Sequence, residues 1–233
     1  MMRFLGVAIM VTVCLAFAGG LALTVWQIAG TPAPVNLSHL LAENLDASGV
    51  DHPITAVLLN FRSYDTLLEI GVLVIAGIAG ISMAKTTSLE DPDLRTSDSL
   101  LYALQRWFVP LMLVLAGYLL WAGSDRPGGA FQAGAVLAAS GVMMRLGGIP
   151  MDFLRPGLLL RFGLALGFSV FLLVAVASAL AGSAFLAYPE AFAKPLILII
   201  EVVLTFSIAM VLLALFVSAP VNRTEEPEEG EAG

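Results

Sequence analysis

The sequence predicts an all-α, polytopic transmembrane protein of about six membrane helices with both termini on the cytoplasmic side. Its 233 residues are 59% hydrophobic and only 12% charged, with a mean hydropathy of +0.93. Soluble domains average about 45–50% apolar and about 25% charged, so composition alone sets this chain among membrane proteins. The apolar residues also fall into runs of bilayer length, and the cations gather at one set of run ends. A helix needs about 20 mostly apolar residues to cross the hydrocarbon, because every amide there must be paired within the segment.

The first run extends from Leu5 to Ile28. Met1-Met2-Arg3 ahead of it, and Ala16-Phe17-Ala18 within it, have the look of a cleavable signal peptide. The apolar stretch nevertheless continues to Trp26, beyond the usual apolar region of about 7–15 residues, and retention as a membrane helix is expected. An outside loop follows from about Gly30 to Pro53. Within it Asn36 to Leu45 reads as a short interfacial helix, with Leu37, Leu40, Leu41 and Leu45 as its apolar face.

The second run is Thr66 to Ala84, and the third is Trp107 to Ala122, or from Leu100 if Arg106 snorkels to the interface. Gly129 to Ile149, Gly157 to Gly182 and Pro195 to Ala219 complete the set. Orientation follows from the cations: with the amino terminus inside, Arg3, Lys85, Arg95, Arg106, Arg145, Arg155, Arg161 and Arg223 all lie at inner ends. Arg62, Arg126 and Lys194 fall outside.

The net charge of −7 owes much to Glu225, Glu226, Glu228, Glu229 and Glu231, a terminal block that repels itself and is expected to be solvated and disordered. No basic patch supports nucleic-acid binding. His39, His52 and Cys14 leave little for a metal site or a disulfide framework, and Cys14 inside its apolar run is expected to be a small buried hydrophobe. No catalytic constellation, phosphate-cradling loop or spaced metal ligands are evident, so neither an enzyme nor a cofactor is expected.

Charges inside a bilayer are costly, which makes them functional candidates. Glu69 follows the polar run Asn60-Phe61-Arg62-Ser63-Tyr64-Asp65-Thr66. Asp65 and Glu69 are four residues apart and share a helix face, with Arg62 placed to neutralise one of them. Asp65 also reads as a helix cap favoured by the helix dipole. Glu201 lies ~9 Å beyond Pro195 along a continuous helix. It reads either as a packing hydrogen bond or as an ion or proton contact, with Lys194 within snorkelling range. Between the third and fourth runs Pro127-Gly128-Gly129 makes a tight turn. Gly129, Ala133, Gly134, Ala138 and Gly141 then give the next helix small faces for close packing. Gln132, just inside that helix, is the residue there able to contact an ion.

The stretch Trp121 to Gly134 resembles the MnhB domain, the B-type component of Mrp multisubunit antiporters, whose pattern reads approximately G-H-x-x-P-G-G-G-F-x-x-G. Ser124 stands where that family usually has histidine, and Ala130 where it usually has glycine. Ile200-Glu201-Val202-Val203-Leu204-Thr205 is similar to the family's closing I-E-x-G-V-x-x-T pattern, which carries its membrane glutamate onto Glu201. Asn60 to Ile70 resembles D-F-R-G-x-D-T-x-G-E, found near the carboxyl end of the large A-type antiporter component and in the E-type component of membrane-bound hydrogenases. Arg62, Asp65, Thr66 and Glu69 match it; Asn60, Ser63 and Leu68 depart from it.

The resemblances divide the chain into a two-helix E-type module at 1–85, a polar cytoplasmic linker at 86–99, a four-helix MnhB-like domain at 100–219 and an acidic tail at 220–233. They imply an accessory membrane subunit of a complex-I-like Na+/H+ antiporter in the cell (inner) membrane. Its implied partners are large A- and D-type subunits, small C-, E-, F- and G-type subunits, Na+, H+ and the bilayer. The other implied setting is the antiporter module of an energy-converting membrane-bound hydrogenase.

Overall fold

The computed structural model describes residues 2–30, 36–83, 99–149, 151, 154, 157–181, 184–189 and 192–218. The expected linker beyond residue 85 and the acidic tail lie outside the described residues. The chain forms two compact units, Met1–Leu41 and Ala42–Gly233. The described residues contain eight α-helices and no strand. Five of the helices are long and apolar enough to cross a membrane, and a sixth, shorter one is mainly apolar. The protein is a polytopic helical membrane protein.

In the first unit α1 runs from Met2 to Gly30. Its interior Thr24 donates its hydroxyl to the Gly20 carbonyl at 2.9 Å, the local way to satisfy a hydroxyl in an apolar helix. Cys14 is exposed on this helix rather than buried, a correction that follows from reading a lipid-exposed surface as a core. Helix α2, Leu37–Asn44, is the expected short helix. Asn36 starts it, its side-chain oxygen accepting from the Ser38 hydroxyl at 3.0 Å and the His39 amide at 3.2 Å.

The second unit is organised around its last helix. The front span is interrupted: α3 (Pro53–Ala56) passes into a π-helical segment, Val57–Phe61, and α4 (Ser63–Met83) begins after Arg62. Then come α5 (Ser99–Ala122), α6 (Ala130–Leu146), α7 (Leu158–Leu180) and α8 (Ala193–Ser218). Helix α8 packs against α4, α6 and α7, and α5 lies chiefly on α6. Small residues let these helices approach. Gly134 of α6 sits under Ile208 and the Thr205 carbonyl of α8, and Gly167 of α7 sits under Ser207 and Leu204. Ser207 donates across the α7–α8 contact to the Leu164 carbonyl at 2.8 Å.

One span takes the longer of its two expected bounds, and another ends short of expectation. Helix α5 takes the longer alternative and carries Pro110 within it, tolerable in a membrane helix where neighbours re-satisfy the freed carbonyl. Helix α6 has 17 residues, at the short end of what spans a bilayer, because Gly147 and Gly148 end it before Ile149. At that end the buried Gln105 of α5 donates its amide to the Met143 carbonyl. A side chain on Gly147 would overlap the Gln105 carboxamide. Gly147→Ala should therefore displace Gln105 and lower stability by about 1 kcal/mol, one hydrogen bond's worth. In detergent unfolding of the full chain, adding Gln105→Ala to Gly147→Ala should cost almost nothing more; full additivity would contradict the contact.

Candidate functional site

The site is framed by connections at one end of the second unit. Lys194, at the start of α8, bridges Asp51 at 3.3 Å and Asp125 at 3.2 Å. The Asp51 and His52 amides both donate to the Ser124 carbonyl, at 3.2 and 3.0 Å. The buried Thr55 hydroxyl donates to the Gly123 carbonyl at 2.5 Å. These bonds fasten α3 to the α5–α6 turn and to the head of α8. Lys194 thus engages loop carboxylates rather than Glu201. An ammonium on a helix's first turn is closer to water than to a carboxylate further down the helix, and the loops deliver two carboxylates there.

The Lys194 ammonium, and then a hydrogen bond with Asp51, holds the Asp125 carboxyl below its ordinary value of 3.8. A carboxyl lowered by folding contributes stability above its unfolded pKa and loses it as pH falls through the folded value. The clamp should therefore loosen only in acid. Because the pair is exposed, the effect is small and screened by salt. Carbon-detected NMR should show the Asp125 titration moving up toward 3.8 in Lys194→Gln; an unmoved titration would rule the bridge out.

Beneath the clamp lies a cavity of about 270 Å³. Its wall takes Thr55, Leu58 and Leu59 from α3 and the π-helical segment, and Thr66 and Glu69 from α4. The turn and α6 add Gly128, Gly129, Ala130, Phe131 and Gln132, and α8 adds Glu201 and Leu204. The π-helical segment contributes Leu58 and Leu59 to this wall. Thr66 donates its hydroxyl to the Leu58 carbonyl at 2.7 Å, and Asn60 donates its amide to the Ser48 carbonyl at 2.7 Å. The Thr66 hydroxyl thereby satisfies a carbonyl of the π-helical segment, a geometry found mostly at functional positions, and Asn60 ties the segment to the turn at Asp46–Ser48.

Glu201 is 2% exposed. Its carboxylate accepts the backbone N–H of Ala130, the first residue of α6, so it sits at the positive end of that helix. Oε2 has no hydrogen-bond partner among the described residues. The glycines around it are steric necessities. Gly129 holds φ at +112°, and a Cβ there would stand 2.9 Å from Glu201 Oε1. A Cβ on Gly123 would meet the Gly129 Cα at 2.7 Å. The Gly129 amide donates to the Leu119 carbonyl at 2.9 Å, closing the turn onto α5.

Of the residues singled out in the sequence, Glu69, Glu201, Gln132, Gly128 and Gly129 meet at this cavity. Arg62 pairs with Asp65 instead, and neither lines the wall. Asp65 lies in the first turn of α4, whose start at Ser63 places it inside the helix rather than at a cap. Pro127 is exposed in the turn, and Gly134 packs against α8 one turn further along α6. Sequence reasoning passed over Thr55, Gly123 and the Ala130 amide. The available signal was the pairing of a glycine-flanked helix start with a lone membrane carboxylate. Among the described residues no cluster of three or more His, Cys, Asp or Glu side chains could hold a metal ion.

The turn and the carboxylate it seats both fall within residues 100–221, which match the family described as a domain related to the MnhB subunit of Na+/H+ antiporter. The chain belongs to this family. As a family member with several apolar spans it is a multi-pass protein of the cell membrane. It is also 27% identical over 156 residues to a protein of Rhizobium meliloti (strain 1021) named as the probable A/B subunit of a K(+)/H(+) antiporter. That match covers 56% of this chain and 16% of the relative. The Mrp complex from Dietzia sp. DQ12-45-1b contains a chain of similar fold, with a TM-score of 0.63 at 21% identity. It aligns with 94% of this chain and 26% of that one. The chain therefore spans a minor part of the length of either protein.

Proposed function

We propose that this chain is an accessory membrane subunit of a multisubunit cation/proton antiporter, and that the cavity between its broken front span and its back bundle forms part of a cation or proton path. The observation that carries this reading is the meeting of Glu69 and Glu201, from distant parts of the chain, at one cavity with Thr66 and Gln132. A carboxylate oxygen unpartnered among the described residues, in a mainly apolar cavity that also carries Glu69, Thr66 and Gln132, suits transient capture of a small cation or a proton. Membership of the MnhB family and the name of the Rhizobium relative point the same way.

In this reading the chain works through assembly. Large A- and D-type subunits and small C-, E-, F- and G-type subunits surround it, and Na+ or K+ is exchanged for H+. It has no catalytic step of its own. The front span serves as an E-type module and the back four helices as the B-type domain. Asp65 and Arg62 neutralise each other at the outer end of α4 and leave Glu69 to the cavity.

The decisive experiment measures Na+/H+ and K+/H+ exchange by the assembled complex in vesicles across pH. Glu69→Gln, which alters an exposed carboxylate and no described hydrogen bond, should assemble normally and reduce exchange to that of vesicles lacking the complex. Undiminished exchange across pH in the assembled variant would show that the path lies elsewhere.

A further inference from the structure

A second cavity, independent of the carboxylates, opens between the halves of α4 and α7 that lie at the Met83 end. It measures about 360 Å³ and is walled by Ile78, Ile81, Leu160, Leu164 and Ala165. Arg161 stands at its lining, exposed, one turn into α7, and makes no ion pair with any described residue. Among the described residues the guanidinium has no carboxylate partner and borders a largely apolar groove. We propose that this groove holds one anionic glycerophospholipid, with an acyl chain along Ile78, Ile81 and Leu164 and its phosphate on Arg161.

Charge and geometry select this occupant. The guanidinium is a planar fork of donors suited to phosphate oxygens, and its stem reaches from an apolar helix face to the headgroup layer. Helix α7 begins at the same place. Gly157 precedes it without any side-chain cap, so the first amides of α7 add their positive end to the same mouth. Basic pockets between membrane helices recognise anionic headgroups for these reasons. A zwitterionic lipid would fill the apolar wall equally well but bring its own cation to Arg161. A protein segment would need a carboxylate at the same height.

Native mass spectrometry of the full chain, released from mild detergent and titrated with phosphatidylglycerol or phosphatidylcholine, tests the proposal. The wild type should retain phosphatidylglycerol about fivefold more tightly than phosphatidylcholine, the discrimination expected of one interfacial cation. Arg161→Gln should erase the preference without loss of fold, because that side chain is exposed and makes no ion pair with a described residue, and Arg161→Lys should keep most of it. Ala165→Trp, filling the groove, should lower retention of both lipids. Equal retention by the wild type, or an unchanged preference in Arg161→Gln, would overturn the proposal. So would cross-linking of Ser82→Cys, at the groove's edge, to a protein rather than to a photoreactive phosphatidylglycerol in the assembled membrane.

Discussion

Gly129→Ala should lower the stability of the second unit by about 1–3 kcal/mol from the backbone alone, because φ +112° with ψ −175° belongs to a region that only glycine enters freely. The new Cβ would also stand 2.9 Å from Glu201 Oε1 and push the carboxylate off the Ala130 amide. Relief is unavailable by moving the turn. The Gly129 amide is bonded to the Leu119 carbonyl, and a Cβ on neighbouring Gly128 would overlap that same carbonyl. The expected result is a lower melting temperature in detergent and poor recovery of the assembled complex. Gly117→Ala serves as the control, since nothing lies within 4 Å of a Cβ there and alanine favours a helix. If Gly129→Ala and Gly117→Ala melted alike, the turn would not be the seat of the Glu201 carboxylate.

This turn shows where sequence reading stops. Pro127-Gly128-Gly129 is legible as a tight turn because those residue types have few other uses together. What the glycines admit is not legible, since Glu201 arrives from a helix two spans later in the chain. The spans themselves are read with little difficulty: a long apolar run has one stable form in a bilayer. Their ends are harder. Helix α5 begins at Ser99 because Gln105 and Arg106 are tolerated near an interface, and hydropathy alone favours a later start.

The broken front span is a different failure. Asn60 and Thr66 look like polar residues ahead of a helix, yet Thr66 bonds the Leu58 carbonyl inside a π-helical segment and Asn60 ties that segment to the Ser48 carbonyl. Periodicity places a residue on a face, but it does not say which carbonyl a side chain reaches. Spacing pairs Lys194 with Glu201 for the same reason: both sit on one helix. Its true partners, Asp51 and Asp125, lie 143 and 69 positions away and come near only through tertiary packing.

Glu201→Gln and Glu201→Leu should both abolish cation/proton exchange by the assembled complex, and they should differ in stability. Glutamine keeps a carbonyl oxygen for the Ala130 amide, so α6 remains anchored and the melting temperature should change little. Leucine fills the volume but leaves that buried amide without an acceptor, which costs about 1–3 kcal/mol. The ordering therefore separates two roles of one carboxylate. Its hydrogen bond holds the first turn of α6 against α8, and its charge, with Oε2 unpartnered, serves the cavity. A complex that assembled with leucine as stably as with glutamine would remove the anchoring role. A glutamine variant that exchanged normally would remove the charge from the path, and Glu69 would be left as the cavity's remaining carboxylate.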